Sequence, residues 1–388
     1  MVRVGIETLV EQGMGVVEGN RIGLITNPSG VDSDLVPTID TLYRHDDVEL
    51  ARLFAPEHGI RGNEQAGVKV AASTDDPTGL PIKSLYGDDR RLEPESVDDL
   101  DSVIYDMQDI GCRFYTLVYT LAYAIEGSGA ADTPLVVLDR PNPIAPLGVA
   151  GNRIDPEYNS AVGDRRLPIT HGMTVGELAH YLNGEFDLGG DLHVVELDGW
   201  TRDTWYDDLE LAWVPPSPNM PTLDTATIYP GTCLFEGTTF SEGRGTTKPF
   251  ELIGAPWVDA DEWAAALNDL AIDGAAFRPA YFTPMFSKHE RRDLEGVQVH
   301  IMNRDRLSPI EVGVKMLLTA FQLYPDADWI RSNGSYFIDK LAGGPTLRTT
   351  IDEVGVSTSV NEVYAELEDQ WTEEGATFEA LYDEYALY

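Results

Sequence analysis

The sequence predicts an α/β protein: a Rossmann-like, doubly wound and mostly parallel sheet, followed by a second, smaller α/β domain. Two observations carry this reading. Short β-branched and aliphatic runs alternate with stretches of helical periodicity, and four successive runs stop at polar clusters around Asn27, Glu57, Asp106 and Asp139. Open α/β sheets hold ligands at the carboxyl ends of their strands, so four such clusters on one expected edge mark a functional rim.

Residues 4–18 read as an entry helix with Ile6, Leu9, Val10 and Met14 on one face. Arg21 to Thr26 is the first buried strand, ending in the turn Asn27-Pro28-Ser29-Gly30. A helix over 35–46 should turn Leu35, Ile39, Leu42 and Tyr43 inward. The strand 48–54 then delivers Glu57, His58 and Arg61, a carboxylate, an imidazole and a guanidinium within five positions. After a long Gly-, Thr- and Asp-rich loop, which at that length suggests function, come a strand near 81–87 and another at 102–107. The latter leads into Asp106, Gln108 and Asp109, and helical spacing runs from Arg113 to Ile125. Leu135 to Leu138 is the clearest parallel strand, stopping at Asp139-Arg140-Pro141-Asn142.

Beyond the rim, 148–163 reads as loop. His171 precedes a helix whose N-cap is Thr174, with Glu177 completing a capping box. A strand follows at 193–197, and Trp200, Trp205, Tyr206 and Trp213 read as a packed edge more than a platform for sugar rings. The stiff run Pro215 to Pro221 places the domain boundary, giving 1–222 and 223–388. The segment 236–251 gathers Glu236, Glu242, Glu251, Arg244 and Lys248. There, Gly243 and Gly245 permit close backbone approach to a ligand, and Arg244 suits a bidentate carboxylate contact. A helix at 259–270, strand-like patches near 281 and 297–301, a helix at 309–323 and acidic helices complete the second unit.

Composition narrows the chemistry. Across 388 residues, 66 Asp and Glu face 27 Lys and Arg, six of them Lys, for a net charge of −39. Nucleic acid is thereby excluded as a partner, and a folded surface adapted to high salt is expected. Cys112 and Cys233 are too few for a disulfide framework or a metal knuckle and read as reduced core residues. No secretory leader or membrane-length apolar run is seen, which predicts a cytoplasmic protein without a membrane partner. No metal-ligand pattern, dinucleotide fingerprint or nucleophile-elbow motif is present, so no metal or cofactor is expected.

What remains is a rim of carboxylates, amides and arginines, which fits sugar chemistry: glycoside cleavage commonly uses two carboxyl groups. Glu57 and Glu242 are the catalytic candidates, with the acid left open between them. Two other readings stand beside it, a non-catalytic sugar-binding protein and a nucleotide-dependent enzyme on the same sheet. The latter lacks a phosphate loop.

The motifs APEHGIRG (55–62), SLYG (84–87), DMQDIGCRFYTLVYTLAYA (106–124), VLDRPNP (137–143), HGMTVGELA (171–179), PSPNMPT (216–222), YPGTCLFEGT (229–238) and SEGRGTTKPFELIGAPW (241–257) span nearly the whole chain. In that order they resemble the NamZ-type exo-β-N-acetylmuramidase family. The resemblance implies a glycoside hydrolase that removes N-acetylmuramic acid from non-reducing ends of peptidoglycan fragments, with its site between a Rossmann-like domain and a smaller one. It implies that Glu57, His58, Arg61, Asp106, Gln108, Asp109, Arg140, Asn142, Glu242 and Arg244 line the cleft; Asn27 and His171 join them from the rim reading. The lactyl carboxylate of muramic acid gives Arg61, Arg140 or Arg244 a ligand. Two departures stand out. Cys112 replaces an expected Thr, and Gly163-Asp164-Arg165-Arg166 differs from a more apolar stretch.

Overall fold

The computed structural model describes residues 2–56, 59–61, 73–85, 91–332, 334–355 and 358–388. Its main sheet uses β1 (Arg21–Thr26), β2 (Glu49–Ala55), β3 (Ser73–Thr74), β4 (Pro81–Ser84), β5 (Ser102–Asp106) and β6 (Leu135–Leu138). After the small hairpin β7 (Val149–Ala150) and β8 (Thr170–His171), β9 (Leu192–Val195) closes the edge. The order is β3-β4-β2-β1-β5-β6-β9, parallel throughout except for β3. The chain winds one way from β1 to β4 and then returns to add β5, β6 and β9 on the other side. The strand order therefore reverses between β1 and β5, and the carboxyl ends of those two strands flank the crevice where such sheets bind ligands.

Alternation along each strand divides the core. Ile22 and Leu24, Ile104, and Val136 and Leu138 face one layer with α1 (Gly5–Glu11) and α2 (Thr38–Arg44). Ile25, Val103, Tyr105 and Val137 face the other, with α3 (Leu117–Ala130) and α4 (Val175–Phe186). The capping box of α4 is present: Thr174 Oγ1 accepts from Glu177 N at 3.2 Å, and Glu177 Oε2 accepts from Thr174 N at 2.9 Å.

The C-terminal half comprises α5 (Leu223–Thr232), β10 (Leu252–Ala255), α6 (Ala260–Asp269), β11 (Ala275–Phe282) and β12 (Leu294–Ile301). It continues through α7 (Pro309–Leu323), α8 (Phe337–Leu341), α9 (Thr346–Glu353) and α10 (Val360–Tyr382). β10, β12 and β11 form an antiparallel sheet. The core around Val103 and Tyr105 runs without a break into Phe240, Trp263, Leu317 and Trp371, so the two halves share it.

Several local expectations are corrected. The entry helix stops at Glu11, because Gly13 and Met14 adopt left-handed backbone before a 3-10 turn at Gly15–Val17. α2 starts at Thr38, not 35. Asp32 Oδ1 accepts from the N–H groups of Asp34 and Val36, a local turn that competes with helix, and leaves Leu35 with φ 64° and half exposed. Tyr43 is also exposed. β10 has no counterpart in the sequence reading, its four residues being too short to show a period. The tryptophan-rich stretch is packing: Trp200, Trp205 and Tyr206 are buried, and Trp205 Nε1 donates to Asp305 at 2.7 Å.

Residues 113–116 precede α3 because Arg113 turns into the protein. Fully buried, its guanidinium donates to the carbonyls of Asn152, Leu167 (3.1 Å) and Leu341 (2.8 Å), with no carboxylate partner among the described residues. Burial pulls it down to about 10, so it remains a cation at neutral pH. It fastens the rim loops of the first half to α8 of the second. Replacing Arg113 by Met orphans three carbonyls and should cost about 2–5 kcal/mol in chemical denaturation; a loss below about 1 kcal/mol would contradict this role.

Candidate functional site

The rim assembles at the β1–β5 switch. Thr26 Oγ1 donates to Asp106 O at 2.8 Å and Gln108 N to Ser29 Oγ at 2.9 Å, locking the turns after the two strands together. Gly30 fits between them because a Cβ would sit 2.2 Å from Thr26 Oγ1. Asn27 is consumed by the scaffold, accepting from Ser29 N at 2.9 Å and donating to Pro216 O at 3.1 Å. Asp106 and Arg140 form a buried two-point ion pair, Nε to Oδ1 and Nη2 to Oδ2 at 3.0 Å; Thr38 adds a hydroxyl donor and Val31 O a further acceptor. Both side chains face each other, so Arg140 has little left for a ligand. Burial works against the Arg140 charge, yet Asp106 more than offsets it and raises the pKa.

Gln108 and Asp109 differ from these. Gln108 Nε2 donates to Asp109 O and Pro141 O, both at 2.7 Å, while its Oε1 has no hydrogen-bond partner among the described residues. Asp109 Oδ2 accepts from Gly111 N at 2.6 Å and lies 3.2 Å from His171 Nε2; its Oδ1 is likewise without a partner. His171 Nδ1 accepts from Met173 N at 3.2 Å, while its Nε2 makes no hydrogen bond among the described residues despite lying close to Asp109 Oδ2. Gly111, at φ 76°, closes this corner; a Cβ would fall 2.4 Å from Asn142 Oδ1. Asn142 in turn accepts from Ile144 N at 3.0 Å and donates to Met173 O at 3.1 Å. Buried acceptors left unpaired are costly and call for a donor from outside the described residues.

Arg61 pairs with Asp75 through Nε and Nη2, both at 3.0 Å, and those contacts raise its pKa. It keeps more than a third of its side chain exposed. Glu57 and His58 lie outside the described residues.

The second half supplies Glu242. Ser241 and Gly254 exchange backbone hydrogen bonds at 2.8 and 3.1 Å, and Phe250 N donates to Glu242 O at 2.7 Å, which pins the segment to the edge of β10. The Glu242 side chain is 2% exposed and lies between two cations: Oε1 is 3.3 Å from Arg244 Nε and Oε2 is 2.9 Å from Lys288 Nζ. Arg244 also holds Glu236 at 2.6 Å. Burial lowers its pKa, and the two glutamates outweigh that and raise it. Gly243 and Gly245 do permit close approach, but to the protein itself: a Cβ would meet Leu252 O or Phe286 N at 2.6 Å. Glu251 is taken by Lys248 at 2.9 Å and by Thr225 of α5 at 2.8 Å.

An aromatic bridge joins the halves. Tyr229 of α5 stands edge-on to Phe114 (6.3 Å), Tyr115 (6.5 Å) and Phe250 (4.7 Å), and Arg244 lies over the Phe250 ring at 5.0 Å. The sequence reading did not include Lys288. Its only sequence signal is a lysine beside a histidine in an irregular loop of a lysine-poor chain.

Asp139 ends β6 but serves α4, accepting from Gly176 N (2.7 Å), Thr174 Oγ1 (2.8 Å) and Tyr388 Oη (2.7 Å). Burial pushes its carboxyl up to about 6, partly countered by these donors.

The fold is that of an α/β protein with a mostly parallel sheet whose strand order reverses between β1 and β5, where buried polar groups collect, and with a smaller second unit that carries a glycine-rich loop around Glu242. Family models for exo-β-N-acetylmuramidase NamZ match here, the N-terminal one over residues 22–224 and the C-terminal one over 227–388. The peptidoglycan β-N-acetylmuramidase NamZ of Bacillus subtilis (strain 168) is 46% identical over 362 residues, covering 93% of this chain and 86% of that protein. Two solved structures of DUF1343 family proteins from Bacteroides fragilis cover all of this chain and 99% of their own. They superpose with TM-scores of 0.90 and 0.77 at 37% and 28% identity. The chain belongs to the NamZ exo-β-N-acetylmuramidase family.

The Asp139 carboxyl gives a pH prediction. Its folded pKa lies above the unfolded value, so the folded chain holds extra proton between about pH 4 and 6; the associated stability is full below that window and lost as pH rises through it. Asp139→Asn removes the titration while keeping the shape. Its unfolding free energy relative to wild type should rise by about 1–3 kcal/mol from pH 4 to pH 7 in denaturant titrations at fixed salt. A difference independent of pH would contradict the assignment.

Proposed function

We propose that this protein is an exo-acting glycoside hydrolase that releases N-acetylmuramic acid, or a closely related carboxylated amino sugar, from the non-reducing ends of peptidoglycan fragments. The observation that carries the reading is the 46% identity, over 93% of the chain, to a protein named as a peptidoglycan β-N-acetylmuramidase. The site chemistry supports it. Glu242, flanked by Arg244 and Lys288, takes the anionic role at the anomeric centre, where positive charge develops in the transition state. Glu57 takes the role of general acid to the leaving oxygen. Gln108 Oε1 and Asp109 Oδ1 receive hydroxyl or amide donors of the sugar, filling the places left without a partner among the described residues. Among Arg61, Arg140 and Arg244, Arg61 has the most open side chain and takes the lactyl carboxylate.

The test is release of aryl alcohol from an aryl β-N-acetylmuramide and from the matching N-acetylglucosaminide at molar salt. The two substrates differ by the lactyl group, and a strong preference for the muramide is expected. Glu57→Gln and Glu242→Gln should each lower kcat at least about a hundredfold in folded protein. Saturable binding of the muramide without product would instead make this a sugar-binding protein.

A further inference from the structure

The loop joining β11 to β12 lies across the segment that carries Glu242, and three non-glycine residues in it, Ser287 (φ 71°), His289 (φ 55°) and Arg291 (φ 58°), adopt left-handed backbone. Strain of this kind persists only where surrounding contacts fix it and is commonest at functional sites. The contacts are present. Met285 N donates to Gly245 O at 3.0 Å, His289 Nε2 lies 2.7 Å from Thr239 O, and Gly245 has no room for a Cβ beside Phe286. Between them Lys288 reaches inward, and its Nζ donates to the carbonyls of Phe235 (2.8 Å), Glu236 (3.2 Å) and Phe240 (2.9 Å).

Those three carbonyls account for all three protons of an ammonium. Glu242 Oε2 is 2.9 Å from the same nitrogen, yet it receives no hydrogen bond among the described residues. The carboxylate thus feels the full charge of Lys288 while no donor is aimed at its Oε2 lone pairs. In a chain with six lysines among 27 basic residues, a lysine at this point is chemically apt.

We propose that Lys288 is a positioning residue for Glu242: it ties the 235–242 segment to the β11–β12 loop through backbone carbonyls and neutralises the carboxylate without capping the oxygen that reacts. This rests on the glycosidase reading above.

The test is removal and chemical restoration of the amine. Lys288→Cys should lower kcat for the aryl muramide at least thirtyfold with KM within threefold of wild type. Treatment with 2-bromoethylamine then forms a C–S bond between the Cys thiolate and the methylene carbon, expels bromide, and rebuilds a lysine-like side chain. The native thiols, Cys112 and Cys233, are buried and burial pushes both pKa values far up, so they stay unmodified. Recovery of kcat to within about fivefold of wild type is expected, with modification at one site verified by mass. Lys288→Met, which keeps most of the aliphatic stem, should show the same kcat loss if the Cys variant does not fold. Wild-type kcat in a folded Cys or Met variant overturns the proposal, as does a loss that complete aminoethylation fails to reverse. Glu242→Gln measured alongside separates the two claims: wild-type turnover there removes the glycosidase role of Glu242 itself, whereas an inactive Glu242→Gln beside a fully active Lys288→Met removes only the role of Lys288.

Discussion

The buried ion pair between Asp106 and Arg140 is the contact on which the site's geometry depends. Asp106 ends β5 and Arg140 lies two residues beyond the end of its parallel neighbour β6, and through Thr38 and Val31 the pair also fixes the start of α2 and the turn after β1. Four segments that would otherwise bring unpaired polar groups to one edge are therefore held to one another. Removing either charge would leave the other buried and unpaired, a cost of about 3–5 kcal/mol. With these two side chains spent on each other, the groups of the rim that keep a buried oxygen without a partner among the described residues are their neighbours Gln108 and Asp109, the latter 3.2 Å from His171 Nε2.

The second half meets this rim through apolar and cationic contacts at once. Tyr229, Phe250 and Arg244 form a continuous path from the Phe114–Tyr115 segment to Glu242, while Arg113 fastens the other side of the same segment to α8. The junction between the two halves is core, not a solvated hinge. The chain is strongly acidic overall, yet its carboxylate Glu242 is surrounded by two of its 27 basic residues. The excess negative charge can serve solubility without disturbing that local balance, since screening by salt weakens interactions among distant surface charges far more than a buried pair.

Much of this was legible in the sequence. The β1, β5 and β6 strands, the capping box at Thr174 and Glu177, and the 309–323 helix carry strong local signals, because aliphatic period and cap chemistry act over a few residues. The polar strand ends marked the rim for the same reason. What the sequence could not distinguish was which polar groups are consumed by the scaffold: Asn27, Asp106 and Arg140 look as ligand-ready as Gln108 and Asp109 until their partners, often dozens of residues away, are seen. Lys288 was invisible because its acceptors are backbone carbonyls some fifty positions upstream, and main-chain acceptors leave no residue-type signature. Gly243 and Gly245 suggest close backbone approach to a ligand, whereas what approaches them in the structure is the protein's own backbone.

The most direct measurement is a crystal structure of the Glu242→Gln variant soaked with a disaccharide bearing N-acetylmuramic acid at its non-reducing end. The account predicts the muramic ring at the carboxyl ends of β1 and β5, with its hydroxyl or amide donors on Gln108 and Asp109 and its anomeric carbon facing the side chain at position 242. A sugar bound elsewhere, touching neither the rim nor the 241–245 loop, would contradict it.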